Sequence, residues 1–312
     1  MSRADRLHQT LEKHEKLALA IVLFVAALAL GIHAWVHPIT DAGPDGEIYE
    51  TLAAEAAASE HIFDCGNFRN AFWSPGWITT VAALYRVTGR EPLAIRFLLV
   101  AVALATAWLV FVTARPLVGA PAALVAVVLF AFSKLVFKFT AAFQYEMPLA
   151  FLAALVGYLL LFAPKPSSSN GQRAARAGDL RPLALAVAAG AALGAAALFS
   201  PRVLALVPLA FLCLRPRSRW LRATARGAAF LFGVFLVLFP WGVRNHRCFG
   251  EWIFTTTNGG INLYIANNPN STGDYDPPPE RGWPGHAPHD SRAWAREAGR
   301  YIAAHPAQTS GR

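Results

Sequence analysis

Residues 17–36 read LALAIVLFVAALALGIHAWV, apolar throughout except for His33. A helix crossing a hydrocarbon core needs about 20 such residues, so this stretch predicts a membrane span. It is too long for a signal-peptide core, and no small-x-small cleavage site follows it. It is therefore expected to remain as an anchor. Six further apolar blocks follow at 97–114, 120–139, 147–163, 183–199, 203–214 and 227–241. The short block at 203–214 is separated from the one before it by Ser200-Pro201-Arg202, which predicts a bent pair. The fold class is thus read as an all-α polytopic membrane protein with about seven transmembrane helices.

Composition supports this class. The 312 residues are 55% hydrophobic and only 15% charged, with a mean hydropathy of +0.38. A soluble chain of this size has no use for so much apolar surface in long blocks. The formal charge of +9 could suggest nucleic acid, but the basic residues sit in short loops between apolar blocks, as membrane topology places them. No nucleic-acid partner is expected; membrane lipids are.

The loop charges set an expected orientation. With the N-terminus in the cytoplasm, the inner segments hold Arg3, Arg6, Lys13, Lys16, Arg115, Lys165, Arg173, Arg176 and Arg181, and five arginines from Arg215 to Arg226. The short outer segments hold only Arg69, Arg86, Arg90, Arg96 and Arg202. The positive-inside rule then divides the chain into a cytoplasmic segment at 1–16, a transmembrane module at 17–241 with a first outer loop at 37–96, and an outer tail at 242–312. Within that loop, Ser74-Pro75 predicts a helix start, and Trp77, Ile78, Val81, Leu84 and Tyr85 recur at helical spacing. With Thr79, Thr80 and Arg86 interleaved, this helix is expected to lie in the headgroup interface. In the tail, Trp294, Ala298 and Ile302 share a face of a short helix expected at 291–304. Cys65, Cys213 and Cys248 form no metal pattern. Cys65 and Cys248 fall on the same predicted side, which permits a disulfide that spacing alone does not establish.

Candidate functional residues converge on the outer face. Residues 41–59, DAGPDGEIYETLAAEAAAS, set Asp41, Asp45 and Glu47 at the start of an Ala-rich helix. Glu146 opens the fourth span. Lys134 and Lys138 stand one helical turn apart in the third, Arg202 lies at the break between the fifth and sixth, and Arg244 and Asn245 follow the seventh. A lysine in an apolar span costs about 2.5–3.5 kcal/mol at the centre. Each charge has a plainer reading: snorkelling lysines, a capping glutamate, an arginine among lipid headgroups, a solvated acidic helix start. An acidic and a basic cluster on one membrane face are what a transferase acting on a lipid phosphate needs.

The order of motifs is more specific than any one of them. Asp45-Gly46-Glu47-Ile48-Tyr49 is followed by Ser74-Pro75-Gly76-Trp77, Tyr145-Glu146-Met147-Pro148, and the small-residue stretch from Gly190 to Pro201. Then come Pro240-Trp241-Gly242-Val243-Arg244-Asn245, Phe249-Gly250, residues 257–263 (TNGGINL) and Asn267-Asn268-Pro269. This order resembles the bacterial glycosyltransferase family 39 group of GT-C membrane glycosyltransferases, related to protein O-mannosyltransferases and the lipid A aminoarabinose transferase. The resemblance implies a GT-C type module and inverting transfer of a sugar from a polyprenyl-phosphate donor to an acceptor hydroxyl (lipid, glycan or protein) on the outer face of the bacterial inner membrane. It implies Asp45 as general base, with Glu47 and Glu146 in support. Lys134, Lys138, Arg202 and Arg244 would bind the donor phosphate, and Asp41, Tyr49, Asn245 and Asn267 would position the acceptor and the loops. No cofactor is implied, and a divalent metal is neither implied nor excluded. The family usually has a basic residue directly after a Thr where this chain has Ser200-Pro201-Arg202. Relatives also continue into further spans beyond the tail helix, so a C-terminally truncated chain is expected. The competing readings are a non-catalytic polyprenyl-phosphate binder or carrier and, third, a secondary transporter, which would place its charges near the midplane.

Overall fold

The computed structural model describes residues 3–37, 43–68, 71–162, 180–214, 220–272 and 288–306. Asp41, Arg69, Lys165, Arg173, Arg176 and the arginines at 215, 217 and 219 lie outside the described residues. All regular structure within them is helical. The opening apolar stretch belongs to α1 (Arg3–Val36), which is continuous with the polar residues before it, so 3–16 are the first turns of the same helix.

Three further helices are long and apolar enough to cross a membrane: α4 (Pro92–Val118), α8 (Arg181–Phe199) and α10 (Trp220–Phe249). The third expected span is not one helix. It is α5 (Ala120–Ala131) and α6 (Lys134–Ala141), bent by 48° at Phe132-Ser133. Ser133 has extended backbone angles and its hydroxyl accepts from the Val136 backbone N–H, so it caps a new helix where the apolar run continues without interruption. Lys134 and Lys138 therefore sit on a short separate helix and not inside a straight span. The shorter apolar helices are α7 (Glu146–Phe162) and the 3-10 turn at Pro201–Leu206 that runs into α9 (Val207–Leu214). The seven expected segments are thus four full-length helices, one bent pair and two shorter ones.

Between lipid-facing helices there is little hydrophobic drive to associate, so contact depends on close approach of backbones. The α8–α10 pair is built this way. A Cβ at Gly190 would lie 1.9 Å from the Phe230 carbonyl oxygen, and one at Gly233 would lie 2.1 Å from that of Val187. Ala186, Ala189 and Ala197 complete the buried face of α8.

A second core gathers at the end of the bundle where α1, α6 and α8 finish and α4 and α7 begin. It contains α2 (Gly43–Ala58) and α3 (Pro75–Thr88). The helical period of α3 is as expected, but its partner is not the headgroup layer. Trp77, Ile78 and Val81 are fully buried in protein, and Gly76 abuts Leu198 and Phe199 at the end of α8. An amphipathic pattern reports that a face is buried without naming what buries it.

Helix α3 also fixes α2. Arg86 donates to the carbonyls of Ala57, Ser59 and Glu60 at the C-terminal end of α2, where carbonyls lack helical partners. Arg90 grips Glu50 through two parallel bonds, Nε to Oε1 at 2.6 Å and Nη2 to Oε2 at 2.5 Å.

The tail departs from expectation in two places. Helix α10 runs through Trp241 to Phe249, so the module boundary expected at 241 falls inside a helix. Besides the one short helix expected in the tail, a second is present, α11 (Gly259–Ala266), with Ile261 and Ile265 buried. The helix expected at 291–304 is α12 (Pro288–Ala304). Its Trp294 and Ala298 are buried, with the Trp294 ring 4.5 Å from that of Tyr264 on α11.

Candidate active site

The first turn of α2 presents Asp45, exposed at the bundle end. One turn later Tyr49 is buried, with its ring edge-on to Trp73 at 5.3 Å and to Tyr145 at 5.7 Å. Tyr145 leads into α7, whose first residue is Glu146. From the opposite side, Arg202 enters on the 3-10 turn, with Nη2 donating to the Tyr145 hydroxyl at 3.4 Å and Nε to Ser200 Oγ at 3.3 Å. Asp45 and Tyr49 on α2, Tyr145 and Glu146 at the start of α7, and Arg202 on the 3-10 turn thus lie near one another at this end of the bundle.

The same groups act on one another electrostatically. Burial pushes the Tyr49 hydroxyl well above its usual range, and the neighbouring Tyr145, Asp45 and Glu146 push it further against the pull of Arg202. Tyr49 is therefore a neutral donor at any physiological pH. The charges of Lys138, Asp45 and Arg202 all act on Glu146, whose Oε2 is buried without a hydrogen-bond partner. Lys138 is exposed on α6, with its ammonium 5.3 Å from the Phe139 ring centre. Lys134, also exposed, stands a turn further from this end.

The remaining expected residues go elsewhere. Glu47 is exposed two residues after Asp45, about 200° around the helix, and so faces away from it. Arg244 is buried and committed to the protein. Its guanidinium donates to the carbonyls of Phe63, Asp64 and Asn67 and to Asn245 Oδ1, at 3.2, 2.6, 3.0 and 2.9 Å. The rings of Phe68, Trp241 and Phe249 lie against it, with centres 5.0–5.4 Å away. Asn245 is fully buried, and its Nδ2 donates to the Ile253 carbonyl at 2.7 Å. Asn267 ends α11, donating to the Leu263 carbonyl at 3.0 Å. Arg244 and Asn245 thus hold the first loop and the returning chain on α10, and four of the five N–H donors of Arg244 are engaged by the protein.

A disulfide reinforces the same clamp. Cys65 and Cys248 are bonded, with Cα atoms 5.4 Å apart. Phe68 lies in the left-handed region with φ of 66°, an uncommon conformation for a bulky residue, held here by burial and by the Arg244 bond to the preceding carbonyl. Among the described residues no three His, Cys, Asp or Glu side chains gather as a metal site requires. Trp73, and the Arg90–Glu50 grip on α2, escaped sequence reading. Trp73 adjoins the quoted Ser74-Pro75-Gly76-Trp77 motif, which was the available signal; nothing in the sequence pairs Arg90 with Glu50.

Residues 74–243, more than half of the chain, match the family described as dolichyl-phosphate-mannose-protein mannosyltransferase. The chain belongs to this family. It is a multi-pass membrane glycosyltransferase of the GT-C type, and the family implies a lipid-linked sugar donor. Comparison with curated proteins and with solved structures gave no match. The matched segment contains Tyr145, Glu146, Lys138 and Arg202; Asp45 and Tyr49 precede it.

Proposed function

We propose that the protein transfers a sugar from a polyprenyl-phosphate carrier to an acceptor hydroxyl (of a lipid, glycan or protein) with inversion. The reaction is assigned to the outer face of a bacterial inner membrane, with the N-terminus in the cytoplasm. The observation that carries the reading is the meeting of Asp45, Tyr49, Tyr145, Glu146 and Arg202 at one end of an apolar bundle. A carboxylate within reach of an acceptor hydroxyl can take its proton as general base. Asp45 takes the proton of the acceptor hydroxyl as its oxygen attacks the anomeric carbon. The bond from that carbon to the phosphate oxygen breaks on the opposite side, and the electron pair leaves with the phosphate. Arg202 and Lys138, with Lys134 further along α6, stabilise the departing charge. Glu146 and the neutral Tyr49 hydroxyl orient the acceptor. Arg244, Asn245 and Asn267 hold the surrounding chain. The Cys65–Cys248 bond supports the outer assignment, because disulfides persist in oxidising compartments.

Binding of undecaprenyl phosphate to the purified chain in nanodiscs tests the phosphate assignment. Loss of one charge-assisted bond is worth roughly 1.5–3 kcal/mol, so Arg202→Gln and Lys138→Gln are each expected to weaken binding about tenfold or more. Unchanged binding in both variants would remove the phosphate site from this end of the bundle.

A further inference from the structure

Phe235, Phe239, Gly242 and His246 recur at intervals of four, three and four residues, so they form one stripe along α10. This stripe faces away from the α8 interface. Phe232, Phe235, Leu236 and Phe239 are all exposed on the apolar part of a helix long enough to span a membrane, where an exposed apolar face calls for lipid.

The chain does not leave the membrane surface when α10 ends. After Gly250, whose φ of 73° turns the backbone, it runs back down the same helix. Asn245 Nδ2 bonds to the Ile253 carbonyl at 2.7 Å, and Trp241 Nε1 bonds to the Thr255 carbonyl at 2.6 Å, so the returning segment descends antiparallel to α10. Alternation along this segment sends Ile253 toward the core around α2 and α3, and Trp252 and Phe254 to the other side, where Phe254 is half-buried at the margin of the α8–α10 core. There they cover the upper part of the lipid-facing stripe. Phe254 packs where a Cβ on Gly242 would be 2.6 Å from its ring. Trp252 stacks on His246 with ring centres 4.5 Å apart and planes 7° apart, and lies nearly parallel to Phe239 and Phe254. Trp252 remains 52% exposed.

We infer that residues 251–254 are a membrane anchor outside the spanning helices, with Trp252 and Phe254 inserted at the headgroup boundary of the leaflet on the active-site side. The occupant is the bilayer, because the aromatic stack continues the exposed apolar face of a helix long and apolar enough to span it. Tryptophan, with an apolar body and one polar N–H, is suited to that depth. The same segment is bonded to Trp241 and Asn245, next to Arg244 and Cys248. It therefore fixes the height of the first-loop clamp above the hydrocarbon.

The test uses the full chain in phosphatidylcholine–phosphatidylglycerol vesicles. The emission lost in Trp252→Phe is the Trp252 signal. It is expected to be quenched by lipids brominated near the glycerol end of the acyl chain more than by lipids brominated near the methyl end, and hardly by aqueous iodide. Strong quenching by iodide without quenching by bromine would put the segment in water and overturn the anchor. Silence to both quenchers would mean that protein covers it, and would overturn the anchor equally. If Trp252→Phe does not fold, photolabelling of the unaltered protein decides. A phospholipid carrying a diazirine at the glycerol level is expected to label the peptide containing residues 251–254, and absence of label there contradicts the inference.

Discussion

At the scale of single residues, similar side chains divide by what surrounds them. Arg202 and Arg244 are both arginines at the same end of the bundle. Arg202 meets two hydroxyls and keeps three donors to spare, whereas Arg244 spends four of its five on three backbone carbonyls and an amide oxygen. Arg244→Lys is therefore expected to act on stability, since an ammonium cannot reach all four acceptors. Each buried group left unpaired costs roughly 1–3 kcal/mol, and a thermal melt in detergent should show a clear downward shift. An unchanged melt with lost lipid-phosphate binding would return Arg244 to the phosphate site. The relation of Asp45 to Tyr49 was legible in the sequence, because residues four apart on a helix share a face. The same geometry turns Glu47 away, which a reading by charge type alone overlooks. The fate of Arg244 was not legible, because three of its four partners lie some 180 positions away and are backbone atoms, which every residue type carries.

At the scale of elements, hydropathy located the apolar segments and Ser200-Pro201-Arg202 announced one break, but the interruption at Ser133 was missed. Ser133 sits within an unbroken apolar run, and only its capping bond to Val136 marks the end of one helix and the start of another. For α3 the period was readable and the partner was not, because protein and headgroup layer leave the same trace on an amphipathic helix. The α8–α10 contact makes a sharp prediction. A Cβ at Gly190 meets backbone and not a movable side chain, so Gly190→Ala must push the helices apart. Overpacking of this kind typically costs about 1–3 kcal/mol, and a bulkier Gly190→Leu should cost more. Melting temperatures falling in the order wild type, Ala, Leu would support the close packing, and three equal values would contradict it.

At the scale of the whole molecule, the proposed orientation rests on lysines and arginines crowding one set of loops. The disulfide was the least open, because two cysteines 183 residues apart show their proximity only once the loop and α10 are folded together. Substituted-cysteine labelling in sealed cells, with Cys213 replaced by Ser, tests the orientation. An impermeant maleimide is expected to label Asn267→Cys and to leave His14→Cys untouched; the reverse pattern would invert the assignment. Family membership makes the chain a glycosyltransferase, and the central claim is that its reaction takes place where α2 meets α7 and the 3-10 turn. Turnover of an undecaprenyl-phosphate-linked sugar by Asp45→Asn tests this most directly, with donor binding measured alongside. A missing general base costs roughly 10²–10⁴-fold in rate. Asp45→Asn is expected to bind donor as the wild type does and to lose turnover on that scale, while Glu47→Gln stays within a few-fold of wild type. Full turnover in Asp45→Asn would contradict the account.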